Sequence, residues 1–560
     1  MDYIIKKYCP KLEFDSYEDF KKNFTINVPD NFNFGYDVVD EWARVEPDKL
    51  ALVWTDDSGR MERYTFADMK RESDRAAAFF KSKGLKKGDV VMMILRQRPH
   101  VWFSIVGLCK LGATCIPASF MLTEHDIVYR CNAAKVKMLI VVSEEGIVDY
   151  VKKSVPKCET LKYVCTLGEK TYPEEGYLDF QAELDATEPY FERPTGDDAV
   201  CNDDTMLLYF SSGTSGEPKM VRHDYAFPLG HIITARFWQQ VEENTVHMTQ
   251  SDSGWAKFAW GKIFGQWICG AAIGAYDTMK FKTETMLDAI VRLHPHSFCA
   301  PATIYRIMIK DDLSGYDLSF IKHAAVAGEP LNPEVYNKIQ EKTGLEIREG
   351  FGQTESPVLI ANYKYFDVHP GSMGKPSPIF DVVLLDENDQ VCEDGVEGVI
   401  SVRNAGTHGP VGLFREYYKD EESTKKAWHD GIYRTGDMAW RDAEGYYWFV
   451  GRNDDVIKCS GYRIGPFEVE SALLEHPAVL ECAVTGYPDP DRGQIVKATI
   501  VLARGYEASD ALTKELQNHV KHATAPYKYP RRIEYVEALP KTTSGKIMRR
   551  AIFARDNKHE

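Results

Sequence analysis

Tyr209-Phe-Ser-Ser-Gly-Thr-Ser-Gly-Glu-Pro-Lys219 packs hydroxyls and glycines into one short segment that ends in lysine. The run Met206, Leu207, Leu208, Tyr209 and Phe210 leading into it is apolar and short, and reads as a buried strand that delivers a loop. Glycines let backbone N–H groups approach an anion closely. Ser211, Ser212, Thr214 and Ser215 add hydroxyl donors, and Lys219 adds a fixed positive charge. A flexible polar linker has a similar composition, but it needs neither the strand before the segment nor Pro218-Lys219 after it. The spacing is not that of the common P-loop, because only two residues separate Gly213 from Gly216. The segment reads as a phosphate cradle of another kind.

Working outward, strands alternate with helices on the amino-terminal side. Thr65 and Asp68 resemble a capping box opening a helix with Phe66, Met69, Ala76, Phe79 and Phe80 on its apolar face, and Gly84 is its expected stop. Residues 90–95 form a continuous apolar run expected of a strand covered on both faces. Helical patterns over 101–111 and 124–134 follow, then a second apolar run over 136–142. Such alternation predicts parallel sheets with helices on both faces. Over 366–450 the texture becomes short β-like pieces broken by turns at 386–389 and 393–395, as in a small β-rich subdomain. Beyond Gly451 an α+β pattern is expected, with strands near Ala483 and over 498–502 and a helix around 511–522.

The chain of 560 residues is long enough for three or four domains or subdomains, and its 44% hydrophobic and 27% charged content is ordinary for a globular protein. A formal charge of −16 argues against non-specific nucleic-acid binding and against an anionic membrane surface, so phosphate-binding charge must be local. The basic stretch 521–560 carries ten Lys/Arg and four Asp/Glu, and suits either a polyanion or a solvated face. The first residues show no leader pattern, and the longest apolar stretch, 256–276, is interrupted by Lys257, Lys262 and Gln266, so no membrane insertion is expected. Twelve cysteines without a C-x-x-C pair suggest reduced thiols and a cytoplasmic protein. Neither they nor the fifteen histidines show the spacing of a zinc motif, so no structural zinc is expected.

Five further segments sharpen the phosphate reading: Ala327-Gly-Glu-Pro-Leu331, Gly350-Phe-Gly-Gln-Thr-Glu355, Tyr433-Arg-Thr-Gly-Asp437, Gly451-Arg-Asn-Asp-Asp-Val-Ile-Lys-Cys-Ser-Gly-Tyr-Arg463 and Pro540-Lys-Thr-Thr-Ser-Gly-Lys546. In this order, together with 209–219, they resemble the adenylate-forming superfamily of acyl- and aryl-CoA synthetases, amino-acid adenylation domains and luciferases. The wording is most similar to that of medium-chain acyl-CoA synthetases.

The resemblance implies an α/β fold: a large N-terminal domain, 1–453, of stacked, mostly parallel α/β subdomains with a β-rich part, and a small mobile α+β C-terminal domain, 454–560. It implies that a carboxylate attacks the α-phosphate of ATP to give acyl-AMP and pyrophosphate, and that the CoA thiol then displaces AMP. Neither step needs a protein nucleophile, so positioning and charge neutralisation carry catalysis. By resemblance, ATP would be held by Ser211, Ser212, Gly213, Thr214, Ser215, Gly216, Glu217, Pro218 and Lys219 at its β- and γ-phosphates. Gly328, Glu329, Pro330, Glu349, Gly350, Phe351, Gly352, Gln353 and Thr354 would line the adenine and α-phosphate, with Asp437 at the ribose hydroxyls and Arg452 at the ribose or phosphate. Glu355 is the implied Mg²⁺ ligand, and Lys546, Thr354 and Lys219 the implied catalytic set. Asp454 matches the hinge, while Ser460, Gly461, Tyr462, Arg463, Arg492, Tyr529, Pro530 and Arg531 are the CoA-side candidates. Each has a plain structural alternative: a cap for Glu355, a turn for Asp437 and Asp454, and surface charge for the arginines and Lys546.

For the acyl pocket the resemblance implies Trp238, Trp255, Lys257, Trp260, Cys299 and Gly352. Acetate-activating relatives place tryptophan where Gly352 stands, so glycine there is expected to open the wall to a medium-chain or branched acid. Lys257 either shortens that cavity or packs its stem while its amine reaches solvent, the second being the more general behaviour. An aryl-acid ligase remains an alternative. An amino-acid adenylation module is disfavoured by the lack of an aspartate directly beside Trp255-Ala256, and a P-loop-like kinase would release ADP instead of AMP. The partners implied are a small carboxylic acid, ATP and CoA, with homo-oligomerisation left open.

Overall fold

A computed structural model describes residues 2–211, 217–279, 281–403, 409–459, 462–489, 492–541 and 547–556. Ser212, Gly213, Thr214, Ser215, Gly216, Ser460, Gly461 and Lys546 lie outside these residues.

The apolar run around Met206 forms the strand Thr205–Ser211, which pairs antiparallel with Lys219–Asp224, placing Ser211 opposite Lys219. The hydroxyl-rich segment therefore joins two paired strands, whereas a P-loop leads from a strand into a helix. Thr205–Ser211 extends an eight-stranded sheet whose parallel members include Val90–Ile94, Thr114–Pro117 and Val136–Val142. Every residue of Val90–Ile94 is buried, as its unbroken apolarity requires. The helix Phe66–Ser82 begins at the expected capping box: Thr65 Oγ1 accepts from Asp68 N at 3.2 Å, and Asp68 Oδ2 accepts from Thr65 N at 2.9 Å.

A fourteen-stranded sheet lies beside it. Its parallel part runs through Ile347–Phe351, His323–Ala327, Ser297–Ala300, Val246–Thr249, Ala272–Asp277 and Leu50–Asp56. The β-rich stretch 366–450 continues this sheet, because the buried strands Ile360–Ala361 and Ser372–Pro376 carry antiparallel pairing from Ile347–Phe351 to Tyr447–Arg452. Beyond Asp454, a separate five-stranded sheet with helices Pro466–Glu475 and Asp510–Ala523 buries its own core of Val469, Leu473, Val484, Val496, Leu516 and Val520.

The stretch 256–276 breaks into helices Ala256–Gly261 and Phe264–Ile268 and the strand Ala272–Asp277, and among the described residues no helix is long and apolar enough to cross a membrane. Lys262 is fully buried there, with Nζ donating to Thr249 O at 2.9 Å, and burial pushes its amine down to about 7. The parallel strands ending at Thr249, Ala300, Ala327 and Phe351 all open toward one edge of the sheet, the usual place for ligands in α/β folds.

Candidate active site

Segments far apart in sequence meet at that edge. Gln353 Nε2 donates to Thr435 O at 2.9 Å and to the Asp437 carboxylate, while Tyr433 OH donates to Gln353 Oε1 at 2.5 Å. Asp437 stands opposite Arg452 across the antiparallel strands Ile432–Arg441 and Tyr447–Arg452, with Arg452 Nε 3.8 Å from its Oδ1. Arg452 Nε also lies 3.6 Å from Asp454 Oδ1, in the connection leading to the five-stranded sheet. Carboxylate and guanidinium thus share one register position, a hydrogen-bond acceptor beside a fixed cation.

Glu355 is buried, and its Oε1 accepts from Tyr417 OH at 2.9 Å. Burial pushes its carboxyl above the ordinary range. Lys219 Nζ sits 4.7 Å over the Tyr417 ring, so the lysine that ends the cradle lies one residue away from Glu355. The same strand carries His223, whose Nε2 lies 2.9 Å from Thr354 O. A carbonyl can only accept, so Nε2 carries the proton, and burial keeps the ring neutral by lowering it to about 3. His223 and Tyr417 were missed as site residues. The two-residue strand period does put His223 on the face of Lys219, whereas Tyr417 arrives by pairing with Val221 and carries no motif.

On the other side of the edge, Gly328 has φ +97°, and a Cβ built on it would meet nothing within 4 Å, so its backbone faces open space that a flat ring can approach. The Glu329 carboxylate accepts from Thr303 Oγ1 at 2.8 Å and from Arg306 at 3.2 Å, and Pro330 continues the turn toward Leu331. Glu349 is buried, accepts from Leu331 N at 3.2 Å, and is pushed up by burial from 4.5 to about 8. The stability tied to its protonated form is fully present below about 4.5 and is gone once pH has risen through about 8. Thermal unfolding from acid to alkaline pH is therefore expected to show wild type losing stability relative to Glu349→Gln, and identical pH slopes for the two would refute this.

The acyl wall differs from expectation. Ideal Cβ atoms at Gly350 and Gly352 would lie 2.5 Å from Trp238 Cε2 and 2.3 Å from Trp260 Cη2 respectively, so both glycines seat indole rings. The two rings meet edge to face at 6.0 Å, and Trp238 Nε1 donates to Arg348 O at 3.0 Å. The space that Gly352 was expected to open is filled by Trp260. Phe351, between the glycines, turns to the opposite side, 6.3 Å from Phe449. Lys257 also departs from the expected reading: its Nζ donates to Ala327 O at 2.8 Å, beside Gly328, and so is tethered to backbone rather than held out in solvent. Cys299 is buried between Thr249 and Ala325 on the neighbouring strands, and Trp255 precedes the helix Ala256–Gly261 with its buried Nε1 unpartnered.

The described CoA-side candidates gather on the five-stranded sheet, away from this cluster. Ile457–Cys459 and Tyr462–Ile464 pair as a hairpin; Tyr462 stacks on Tyr527 at 4.2 Å, and Arg463 pairs with Glu387. Arg492 turns back on Asp489, Pro530 O accepts from Gln517 at 3.0 Å, and the Tyr529 ring lies under Lys521 and Arg531. None of these partners belongs to the group around Asp437 and Glu355.

Residues 39–418 match the AMP-binding enzyme family model, and residues 468–546 match that of the AMP-binding enzyme C-terminal domain. The chain belongs to the AMP-binding enzyme family. It is 40% identical over 549 residues to Acyl-coenzyme A synthetase ACSM3, mitochondrial, of Mus musculus, covering 96% of this chain and 92% of the relative. It is 41% identical over 535 residues to Acyl-coenzyme A synthetase ACSM4, mitochondrial, of Rattus norvegicus, covering 94% and 90%. Its fold is similar to that of the anthranilate CoA ligase AuaEII in complex with anthranoyl-AMP, with a TM-score of 0.85, 27% identity and coverage of 94% and 98%. An acyl-CoA synthetase of Brucella canis gives 0.73, 30%, 98% and 100%. These similarities bear out the superfamily read from the motifs and the α/β fold with its separate C-terminal part. They correct the cytoplasmic expectation, since the relatives named are mitochondrial. Reduced thiols report a reducing compartment without saying which one.

Proposed function

We propose that this protein is an AMP-forming acyl-CoA synthetase for medium-chain carboxylic acids. The observation that carries the reading is the convergence of Lys219, Gln353, Glu355, Asp437 and Arg452, drawn from four motifs, at the carboxyl edge of the parallel strands. In the first step a carboxylate oxygen bonds to the α-phosphorus of ATP and pyrophosphate leaves; in the second the CoA sulfur bonds to the acyl carbon and AMP leaves.

Asp437 accepts from the ribose hydroxyls, with Arg452 alongside as the positive partner. Lys219 and the hydroxyls of the 211–219 segment neutralise the departing pyrophosphate, and the open backbone at Gly328 admits the adenine. Thr354 is positioned for the α-phosphate by the bond between its carbonyl and His223. The Glu355 carboxylate is a hard oxygen donor in a buried site and fits Mg²⁺. Held there, the ion would offset phosphate charge. Lys546 provides the charge at the reacting oxygens, and residues 454–560 move as a unit about Asp454 to exchange Lys546 for the segment 460–463 between steps.

The similarity to an anthranilate ligase makes an aryl acid the second reading, but the higher identity lies with the acyl-coenzyme A synthetases. Labelled pyrophosphate should exchange into ATP only when a suitable acid is present, and adding CoA should then release AMP. Exchange without acid, or ADP as product, would refute the assignment.

A further inference from the structure

The strands that carry the nucleotide cluster at their carboxyl ends bring three metal-ligating side chains together at their amino ends. Glu242 lies in the connection ahead of Val246–Thr249, His296 immediately precedes Ser297–Ala300, and His323 opens His323–Ala327. The backbone here is tightly registered. Ser297 pairs with both His247 and His323, His296 N donates to Val246 O at 2.8 Å, and His296 O accepts from Lys322 N at 2.8 Å and from His323 N at 3.3 Å. The two imidazoles therefore stand side by side, with ring centroids 5.3 Å apart. His296 Nε2 is 4.0 Å from Glu242 Oε2, and one donor atom from each of the three residues lies within 4.8 Å of the others. His296 Nδ1 is buried and has no hydrogen-bond partner.

We propose that Glu242, His296 and His323 form a site for a divalent transition cation of zinc's chemical class, outside the catalytic centre. Two imidazole nitrogens and one carboxylate oxygen make a donor set that zinc accepts with a water in the fourth position, and one too rich in nitrogen for magnesium or calcium. Bonds of about 2.0–2.2 Å require donor atoms about 3.4 Å apart. The Glu242 side chain is 52% exposed and can swing inward, while the imidazoles need only rotate. The cations that act on His323 are Arg348 and Lys364; Arg348 is committed to Tyr363 O and Glu346, and Lys364 to Glu13. Glu242 thus supplies the negative charge that neutral imidazoles lack. A bound ion clamps the strands leading to Thr249, Ala300 and Ala327 at the end remote from the nucleotide cluster. No sequence spacing signals the trio, because its members come from three separate strand entries.

The probe is Co²⁺ added to the full-length protein and followed by visible absorption. One ion per chain is expected, displaced by Zn²⁺, with d–d bands and no thiolate charge transfer. His296→Ala and His323→Ala should each weaken Co²⁺ binding by at least roughly 10–100-fold, the range seen even for residues that only support ligands. Glu242→Gln, a mild change on an exposed side chain, should weaken it in the same direction without disturbing the fold. Failure to bind Co²⁺, a thiolate charge-transfer band, or unchanged affinity in Glu242→Gln and either histidine variant would overturn the proposal.

Discussion

Lys546→Ala is expected to remove nearly all acyl-AMP formation while leaving the conversion of supplied acyl-AMP into acyl-CoA largely intact. Negative charge gathers where a carboxylate meets a phosphate, and losing one fixed electrostatic donor at such a point typically costs about 10²–10³ in rate. Lys546 itself lies outside the described residues, but its flanks are anchored on the five-stranded sheet. Lys541 and Ile547 form a bridge, Met548 N donates to Pro540 O at 2.8 Å, Lys541 Nζ binds Glu481 at 2.7 Å, and Leu539 and Ile552 pack with Ala483 and Val501. If residues 454–560 exchange as proposed, the segment between these flanks serves one half-reaction and not the other. Single-turnover measurements on each half-reaction decide the matter: an equal loss in both would mean that the layer does not exchange its residues between steps.

Substitution of Gly352 is expected to damage the enzyme toward every acid, and reducing Trp260 at the same time should relieve only part of the damage. A Cβ at this position would lie 2.3 Å from Trp260 Cη2 and 2.5 Å from Pro357 O, and a backbone carbonyl cannot move aside as a side chain can. Overpacking of this kind costs about 1–3 kcal/mol of stability. Gly352→Trp alone should therefore lower the melting temperature and kcat/KM across the whole acid series. Trp260→Ala should extend the preferred chain, and Gly352→Trp placed in that background should shorten it again while keeping a lowered melting temperature, because the Pro357 carbonyl still stands 2.5 Å from the new Cβ. A stable Gly352→Trp single variant with a simple shift to short acids would show that Trp260 does not fill this space. Because Trp238 and Trp260 are in ring contact, substitutions at the two are expected to be non-additive.

Much of the fold was legible in local patterns. The Thr65–Asp68 capping box, the helix Glu124–Ala134 and the strands around Val90 and Val136 follow from caps and apolar periodicity, which act over a few residues. The continuity of 366–450 with the parallel sheet was not legible, since it depends on the pairing of the two-residue strand Ile360–Ala361. In the site, Gln353, Glu355, Asp437 and Arg452 were named from their motifs. Tyr417 and His223, which bond to Glu355 and Thr354, were not: Tyr417 reaches the site only by pairing with Val221, and His223, though on the face of Lys219, belongs to no motif. The direction of Lys257 was beyond sequence reasoning for the same reason: its amine is placed by a carbonyl seventy residues away.

By itself the sequence determined the chemical inventory and the kinds of element that carry it: a hydroxyl-rich cradle ending in Lys219, carboxylates at 355 and 437, and apolar runs that must be buried strands. Only the tertiary structure decided what faces what. It set Asp437 against Arg452, filled the space beside Gly352 with Trp260, and brought Glu242, His296 and His323 to one end of the sheet. Propensity and capping are settled between neighbours in the chain, whereas sheet register and ring packing are settled between residues tens to hundreds of positions apart, whose proximity no local pattern encodes.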